Sequence, residues 1–181
     1  MGKINTFNEV AYCHVRRREK AGQPEPSQPV PEEIYLGLRN QILTLDPASA
    51  GFADKPLWGC VMETGYPNGI ATLVCLSDGT TSLYTSTGGG IIGGGTHERV
   101  AQENAKLLTT LSAHLSAMSP STDDKLPRDG QTSIRALTSE GQRLFEACEN
   151  DLGEGRSEMS PVFHAAHSVI GELRMIDEAR R

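Results

Sequence analysis

The sequence predicts an α+β fold, an antiparallel five-stranded sheet with the element order helix, three strands, helix, two strands, helix. Two turn signals support this prediction, PNG at residues 67–69 and the pair Asp78-Gly79, because such dipeptides favour tight turns between antiparallel strands. The third observation is that apolar residues repeat at helical spacing before and after these strands. We therefore expect helices to cover the sheet.

Residues 1–30 are predicted to be a flexible basic arm with a Pro-rich linker, and residues 31–181 a single α+β domain. The linker prediction comes from QPEPSQPVP at residues 23–31, because alternating prolines exclude a helix and a central strand. The arm carries five basic and three acidic side chains, whereas the whole chain has a formal net charge of -6. The predicted domain is therefore acidic.

The composition favours a water-soluble chain in the cytoplasm. Hydrophobic residues make up 37% of the chain, aromatic residues make up 5%, and the mean hydropathy is -0.37. The sequence contains no run of about eighteen apolar residues and no apolar signal core near its start. We expect no membrane association, and the acidic domain argues against nucleic acid as a partner because it repels phosphate backbones.

The first helix is predicted at residues 31–45. Pro31 suits the first helical position, and the acidic residues after it favour the positive end of the helix dipole. Asp46-Pro47 ends the helix. The apolar stripe repeats at helical spacing and consists of Tyr35, Leu38, Ile42 and Leu45.

Three antiparallel strands are predicted at residues 57–64, 70–76 and 80–87. The middle strand, ATLVCL at residues 71–76, is apolar on both faces, which implies that both faces are covered. We expect a helix to cover one face and a second copy of the chain to cover the other. This expectation predicts a homodimer.

The first turn decides how the cysteines of the strands face each other. With Gly69 in the left-handed conformation at the end of a three-residue turn, Tyr66 pairs with Ile70. This register places Cys60 and Cys75 on opposite faces of the sheet. We expect two buried free thiols, as in a reducing compartment.

The stretch GGGIIGGG at residues 88–95 is predicted to be a structural crossing from the sheet to a second helix. Six glycines in eight positions favour backbone torsions or close approaches that side chains would prevent. The helix is predicted at residues 97–118 with Thr96 as its N-cap. Its buried stripe is Val100, Leu107, Leu111, Leu115 and Met118.

A ligand-binding role for this crossing is the alternative. Consecutive glycine amides before a helix favour anions, so the speculative ligand-binding residues are Gly93, Gly94, Gly95, Thr96 and His97. The glycines also match GxGxxG, but the preceding strand ends an antiparallel meander and no acidic residue follows at about twenty positions. No cofactor is therefore predicted.

The C-terminal third contains one segment with two interpretations. Residues 119–131 are predicted to be an exposed, dispensable loop, and residues 151–158 a Gly-rich connection. Residues 132–148 predict either a hairpin that turns at residues 139–141 or a strand followed by a helix from Ser139. The last helix begins at Ser160 with Pro161 in the first position.

No catalytic or metal-binding pattern is recognised. The four cysteines show no CxxC spacing, and His164 and His167 lie three positions apart without a recognisable third ligand. No nucleophile signature such as GxSxG is present. We therefore predict neither catalytic residues nor a metal site.

The element order over residues 31–180 and the acidity resemble those of class I type III secretion chaperones and of the profilin and roadblock group. The phrases METGYPNG and STGGGIIGGG also resemble a bacterial family without an assigned function. The chaperone resemblance implies a non-enzymatic protein-interaction or chaperone-like module, a homodimer with an unknown protein partner. Two alternatives stay open, a small anion-binding or nucleotide-binding protein or enzyme that uses residues 88–95, and a winged-helix-like DNA binder suggested by RALTSEGQRLFEACE.

Overall fold

The computed structural model describes residues 33–180 and confirms an α+β fold with an antiparallel sheet. Within this range the sheet has seven strands instead of the predicted five, and the chain forms four α-helices instead of three. The predicted arm and linker at residues 1–30 lie outside the described residues, as does the predicted helix start at Pro31.

The described helices and strands follow one another as α1 Glu33–Leu43, β1 Leu57–Tyr66, β2 Gly69–Leu76, β3 Thr81–Thr85, β4 Gly90–Ile91, α2 Glu98–Ala113, β5 Ser119–Pro120, β6 Gln131–Thr138, β7 Gly141–Cys148, α3 Glu149–Gly153 and α4 Ser160–Arg180. The strands lie in the order β4-β3-β2-β1-β6-β7-β5, and neighbouring strands are antiparallel. The predicted meander β1–β3 is thus confirmed, and the β6–β7 hairpin extends it beside β1.

The elements that we did not predict are short. Strands β4 and β5 have two residues each and form the two edges of the sheet. They lie in the glycine stretch and in the polar loop after α2, where no alternation of apolar and polar residues indicates a strand. Helix α3 has five residues and extends into the predicted Gly-rich connection.

The segment at residues 132–148 is a hairpin. Strands β6 and β7 pair from Gln131 and Cys148 to Thr138 and Gly141, so only two residues form the turn. The alternative helix from Ser139 is therefore wrong. The strand-and-helix pattern that suggested a DNA-binding wing is absent from this part of the described chain.

The register of the first hairpin differs by one residue from the prediction. Its turn contains only residues 67–68, and Tyr66 pairs with Gly69, whose φ is +153°. Cys60 therefore lies directly opposite Cys75 on the same face, and the predicted placement on opposite faces is wrong. Both thiols are free and buried, as expected, and burial raises the pKa of Cys60 to about 12.

Helices α2 and α4 pack together on one face of the sheet and form the larger core. The strands contribute alternate side chains to this face. The helices contribute the predicted apolar stripes, although α2 ends at Ala113 rather than at residue 118. The fully buried helix side chains here include Val100, Leu107, Leu111, Val162, Ala166, Val169 and Leu173.

Helix α1 and the segment at residues 44–56 cover the opposite face of the sheet. Phe52 from this segment stacks on Trp58 of β1, with 5.4 Å between the ring centroids. Tyr35 of α1 contacts Tyr84 of β3 edge to face at 5.7 Å. The chain itself therefore covers both faces of β2. Our expectation that a second copy covers one face is wrong, and the homodimer stays a prediction without this argument.

A buried polar network joins α1 to β1 and β2. Glu63 is fully buried, and its carboxylate oxygens accept hydrogen bonds from Nε and Nη2 of Arg39 at 2.7 and 2.9 Å. The hydroxyls of Tyr35 and Thr72 also donate to Oε1 of Glu63, each at 3.3 Å. Burial by itself would lower the pKa of Arg39, but the hydrogen bonds and charge of Glu63 raise it. Helix α1 is therefore held by an ion pair as well as by apolar contacts.

The loop at residues 121–130 is part of this layer, although we predicted it to be exposed and dispensable. The carbonyl of Lys125 accepts a hydrogen bond from Nη2 of Arg39 at 3.4 Å. Leu126 packs against the apolar cluster under α1, and Pro127 is buried. The polar side chains of the loop concealed these contacts in the sequence.

We predict that Arg39→Met destabilises the protein by about 3–5 kcal/mol, because it leaves the Glu63 carboxylate buried without its counter-charge. The double variant Arg39→Met/Glu63→Met should be more stable than the single variant, because it removes both buried charges. Urea unfolding measures both effects.

Lys106→Met is the matched control, because Lys106 pairs with Glu103 on the surface of α2 and its side chain is 66% exposed. We expect this change to alter the free energy of unfolding by less than about 1 kcal/mol. Equal small effects of the Arg39 and Lys106 substitutions would contradict the role assigned to the buried pair.

Candidate functional site

A cavity of about 120 Å³ lies between the sheet and α4, beside the end of β1. We call it the α4 cavity. Its floor is apolar, and several polar side chains stand around it. The residues that line it are Met62, Thr64, Tyr66, Ala71, Leu73, Leu83, Thr85, His167, Ile170 and Arg174.

The pairing of β1, β2 and β3 places the sheet residues of the α4 cavity next to one another. Thr64, Ala71 and Thr85 are opposite one another on β1, β2 and β3. Successive residues on one face of a strand are two positions apart. The next row of residues on this face is apolar. On the helix side, positions 167, 170 and 174 follow the spacing of one helical face. Small side chains at the end of the sheet thus leave the space that α4 covers.

His167 contributes the most unusual polar atom of the cavity. Its Nε2 is buried and has no hydrogen-bond partner in the described part of the chain. Its ring packs on Phe163, with 4.3 Å between the centroids. Burial lowers the pKa of His167 below its ordinary value of 6.5; the negative charge of Glu149 opposes this shift, and the positive charge of Arg174 adds to it. The imidazole is therefore neutral at pH 7 and can donate or accept a hydrogen bond.

Tyr66 and Arg174 are two further polar residues that line the α4 cavity. The hydroxyl of Tyr66 donates to Oε1 of Glu149 at 3.0 Å. Burial, followed by the negative charge of Glu149, raises the pKa of Tyr66 to about 12, so the hydroxyl stays protonated. Arg174 is exposed and has no ion-pair partner within residues 33–180. Its guanidinium is thus available to an anion.

The α4 cavity continues into an open groove of about 260 Å³. The two spaces share Tyr66, Ala71, Thr85 and Arg174. Among the described lining residues of both spaces there is no carboxylate, and Arg174 supplies the positive charge. The arrangement can hold a small molecule with an apolar body and a negatively charged end.

The five residues of the predicted ligand site form one turn that leads into α2. Gly93 has φ = +76°, and Gly94, Gly95 and Thr96 form a short 3-10 turn. A Cβ at Gly94 would overlap the side chain of Leu173 in α4. The hydroxyl of Thr96 donates to the carbonyl of Gly93, so Thr96 does not cap α2.

His97 is the N-cap residue of α2 without a capping hydrogen bond from its side chain. It lines a surface groove of about 380 Å³ together with Glu98 and Glu172. Arg99 also lines this groove, so its charged residues are two carboxylates and one guanidinium, a balance that does not favour an anion.

Close packing accounts for Gly94 and Gly95, and the positive φ accounts for Gly93, without a ligand. Binding at residues 93–97 stays a prediction.

The histidine pair noted in the sequence does not form a metal centre in the described residues. No group of three or more His, Cys, Asp or Glu residues within residues 33–180 is arranged to hold a metal ion. His164 is exposed, and His167 lines the α4 cavity. The sequence patterns pointed to the two histidines but not to Tyr66 and Arg174. The available signal for Tyr66 and Arg174 was a polar side chain at the end of an otherwise apolar face.

The cytoplasmic location of the protein stays a prediction. None of the helices in the described range has both the length and the apolar character needed to cross a membrane.

We predict that Gly95→Ala destabilises the protein by about 1–3 kcal/mol, because the new Cβ would overlap the backbone carbonyl of Gly79. Gly171→Ala is the control, because the space around Gly171 in α4 is open, and we expect it to stabilise by about 0.5–1 kcal/mol. Thermal unfolding measures both. Unchanged stability of the Gly95 variant would mean that packing does not require this glycine.

We also predict that His167 makes the protein less stable in acid. Because its pKa is lower in the folded state than its ordinary 6.5, the unfolded chain binds the proton more readily below about pH 6.5. Stability should therefore fall as the pH decreases through this region. His167→Gln should reduce the slope of unfolding free energy against pH. Equal slopes for the wild type and this variant would disprove the burial effect.

No protein-family model, curated protein or solved structure matches this chain. The function is therefore inferred from the geometry of the α4 cavity.

Proposed function

We propose that the protein binds a small organic anion, a short carboxylate, in the α4 cavity. The observation that carries the proposal is the buried, unpartnered Nε2 of His167 in a cavity that Arg174 also lines. An unpaired buried polar atom is unfavourable, and a ligand that supplies its partner removes the penalty. Arg174 favours a negative charge at the opening, because guanidinium and carboxylate form paired hydrogen bonds.

The size of the cavity limits the ligand. At about 30 Å³ per water molecule, a space of about 120 Å³ corresponds to roughly four waters. A carboxylate with a chain of three to five carbons is of this order. Its alkyl part would lie on Leu73 and Ile170, and the neutral imidazole of His167 would donate to one carboxylate oxygen.

The proposed function is ligand binding and not catalysis. The thiol of Cys60, on the same sheet face, is fully buried and its raised pKa keeps it protonated. The hydroxyl of Tyr66 is also protonated and is bonded to Glu149. Neither group is activated as a nucleophile.

We predict that butyrate raises the melting temperature and shifts the NMR signal of the His167 ring, whereas 1-butanol at the same concentration does so more weakly. A ligand at a hundred times its dissociation constant stabilises the folded state by about 2.7 kcal/mol. Arg174→Gln should weaken butyrate binding by about tenfold or more, because a hydrogen bond to a charged group contributes about 1.5–3 kcal/mol.

The control Arg99→Gln removes an exposed arginine at the start of α2, beside the other groove, and should leave butyrate affinity unchanged. His167→Phe should also weaken butyrate binding, because it removes the donor to the carboxylate. If no carboxylate of two to six carbons perturbs the ring of His167, or if Arg174 and Arg99 substitutions act equally, the proposal is wrong.

A further inference from the structure

A second arginine, Arg135, lies on the face of the sheet opposite to the α4 cavity. Arg135 is on β6 and is only 1% exposed. Its neighbour on the same face, Ser133, is also 1% exposed. Arg135 lies opposite Val61 of β1 and Leu144 of β7, so apolar side chains flank its position in the sheet.

Two nitrogens of Arg135 and the hydroxyl of Ser133 are buried without partners among residues 33–180. Within the described chain, neither Nε nor Nη1 of Arg135 nor Oγ of Ser133 has a hydrogen-bond partner. A guanidinium keeps its charge inside a protein, although burial lowers the pKa of Arg135. A buried cation without a counter-charge is strongly unfavourable, and so are its unused donors.

The carboxylates around Arg135 act on it without forming an ion pair. Glu63 lies opposite Ser133, but both of its oxygens are already bonded to Arg39. The negative charges of Glu63, Asp123 and Glu146 act against the effect of burial and raise the pKa of Arg135, and none of these residues is paired with it in the described chain. Arg135 therefore lacks a directly paired counter-charge.

We propose that Arg135 and Ser133 bind a small monovalent inorganic anion such as chloride beneath the layer formed by α1 and residues 121–130. A water molecule would accept from the donors without balancing the charge, whereas an anion does both. Because the unpartnered atoms are fully buried, the occupant has to be small enough to be enclosed.

The direct test is a crystal of the full chain grown with sodium bromide, in which anomalous scattering locates bromide. The expected result is a peak within hydrogen-bond distance of Arg135 and of Ser133 Oγ. A water molecule at this position, no peak, or a direct ion pair between Arg135 and Asp123 would overturn the proposal. A peak only beside Arg174 belongs to the α4 cavity and counts against an anion at Arg135.

Melting temperatures in sodium chloride and in sodium methanesulfonate, whose anion is too large to be enclosed and is not a carboxylate, give the solution test at equal ionic strength. The wild type should melt at a higher temperature in chloride, and Arg135→Met should lose the difference. Arg128→Met, which changes an exposed arginine of the covering loop, and Arg174→Gln should retain it. The same chloride effect in Arg135→Met would refute the site, and if that variant does not fold, the bromide map of the wild type decides.

Discussion

The fold depends on the ion pair that Arg39 forms with Glu63 in the middle of the sheet. Glu63 lies on a central strand and is fully buried, so its charge is tolerable only because Arg39 and two hydroxyls surround it. The ion pair fixes the position of α1 and determines which side of the helix faces the sheet. Because α1 then covers the second sheet face, the chain needs no second copy to shield β2.

The two faces of the sheet differ in chemistry as a consequence. The face under α2 and α4 is apolar and closely packed, except where small side chains leave the α4 cavity beside His167. The face under α1 carries the buried charges of Arg39, Glu63 and Arg135. We infer separate ligand chemistries from this division, an organic acid on the apolar face and an inorganic anion on the charged one. In each case a buried polar atom without a partner is the reason for the inference.

Sequence patterns predicted the elements better than the contacts between them. Turn dipeptides and helical repeats gave the meander, the last helix and the final hairpin, because these signals are local. The short edge strands β4 and β5 had no such signal. The register of the first hairpin failed because Gly69 is compatible with a two-residue or a three-residue turn, and a shift of one residue changed how Cys60 and Cys75 face each other.

The candidate site escaped prediction because it depends on long-range packing. The spacing of His167 and Arg174 puts them on one face of α4, but nothing in the sequence brings Tyr66 of β1 to that face. The predicted interaction module and the predicted binding loop at residues 93–97 remain hypotheses. The glycines of that loop have an architectural explanation, since Gly94 and Gly95 pack against α4 and against the turn between β2 and β3.

Native-state hydrogen exchange of the wild type tests most directly whether α1 is an integral cover of the sheet. If the buried ion pair holds α1 as described, the amides of residues 38–43 will exchange with a free energy close to that of the β1 amides, because both open in one cooperative unit. Rapid exchange in α1 while β1 stays protected would show that the helix opens independently, and the account of the second sheet face would then be wrong.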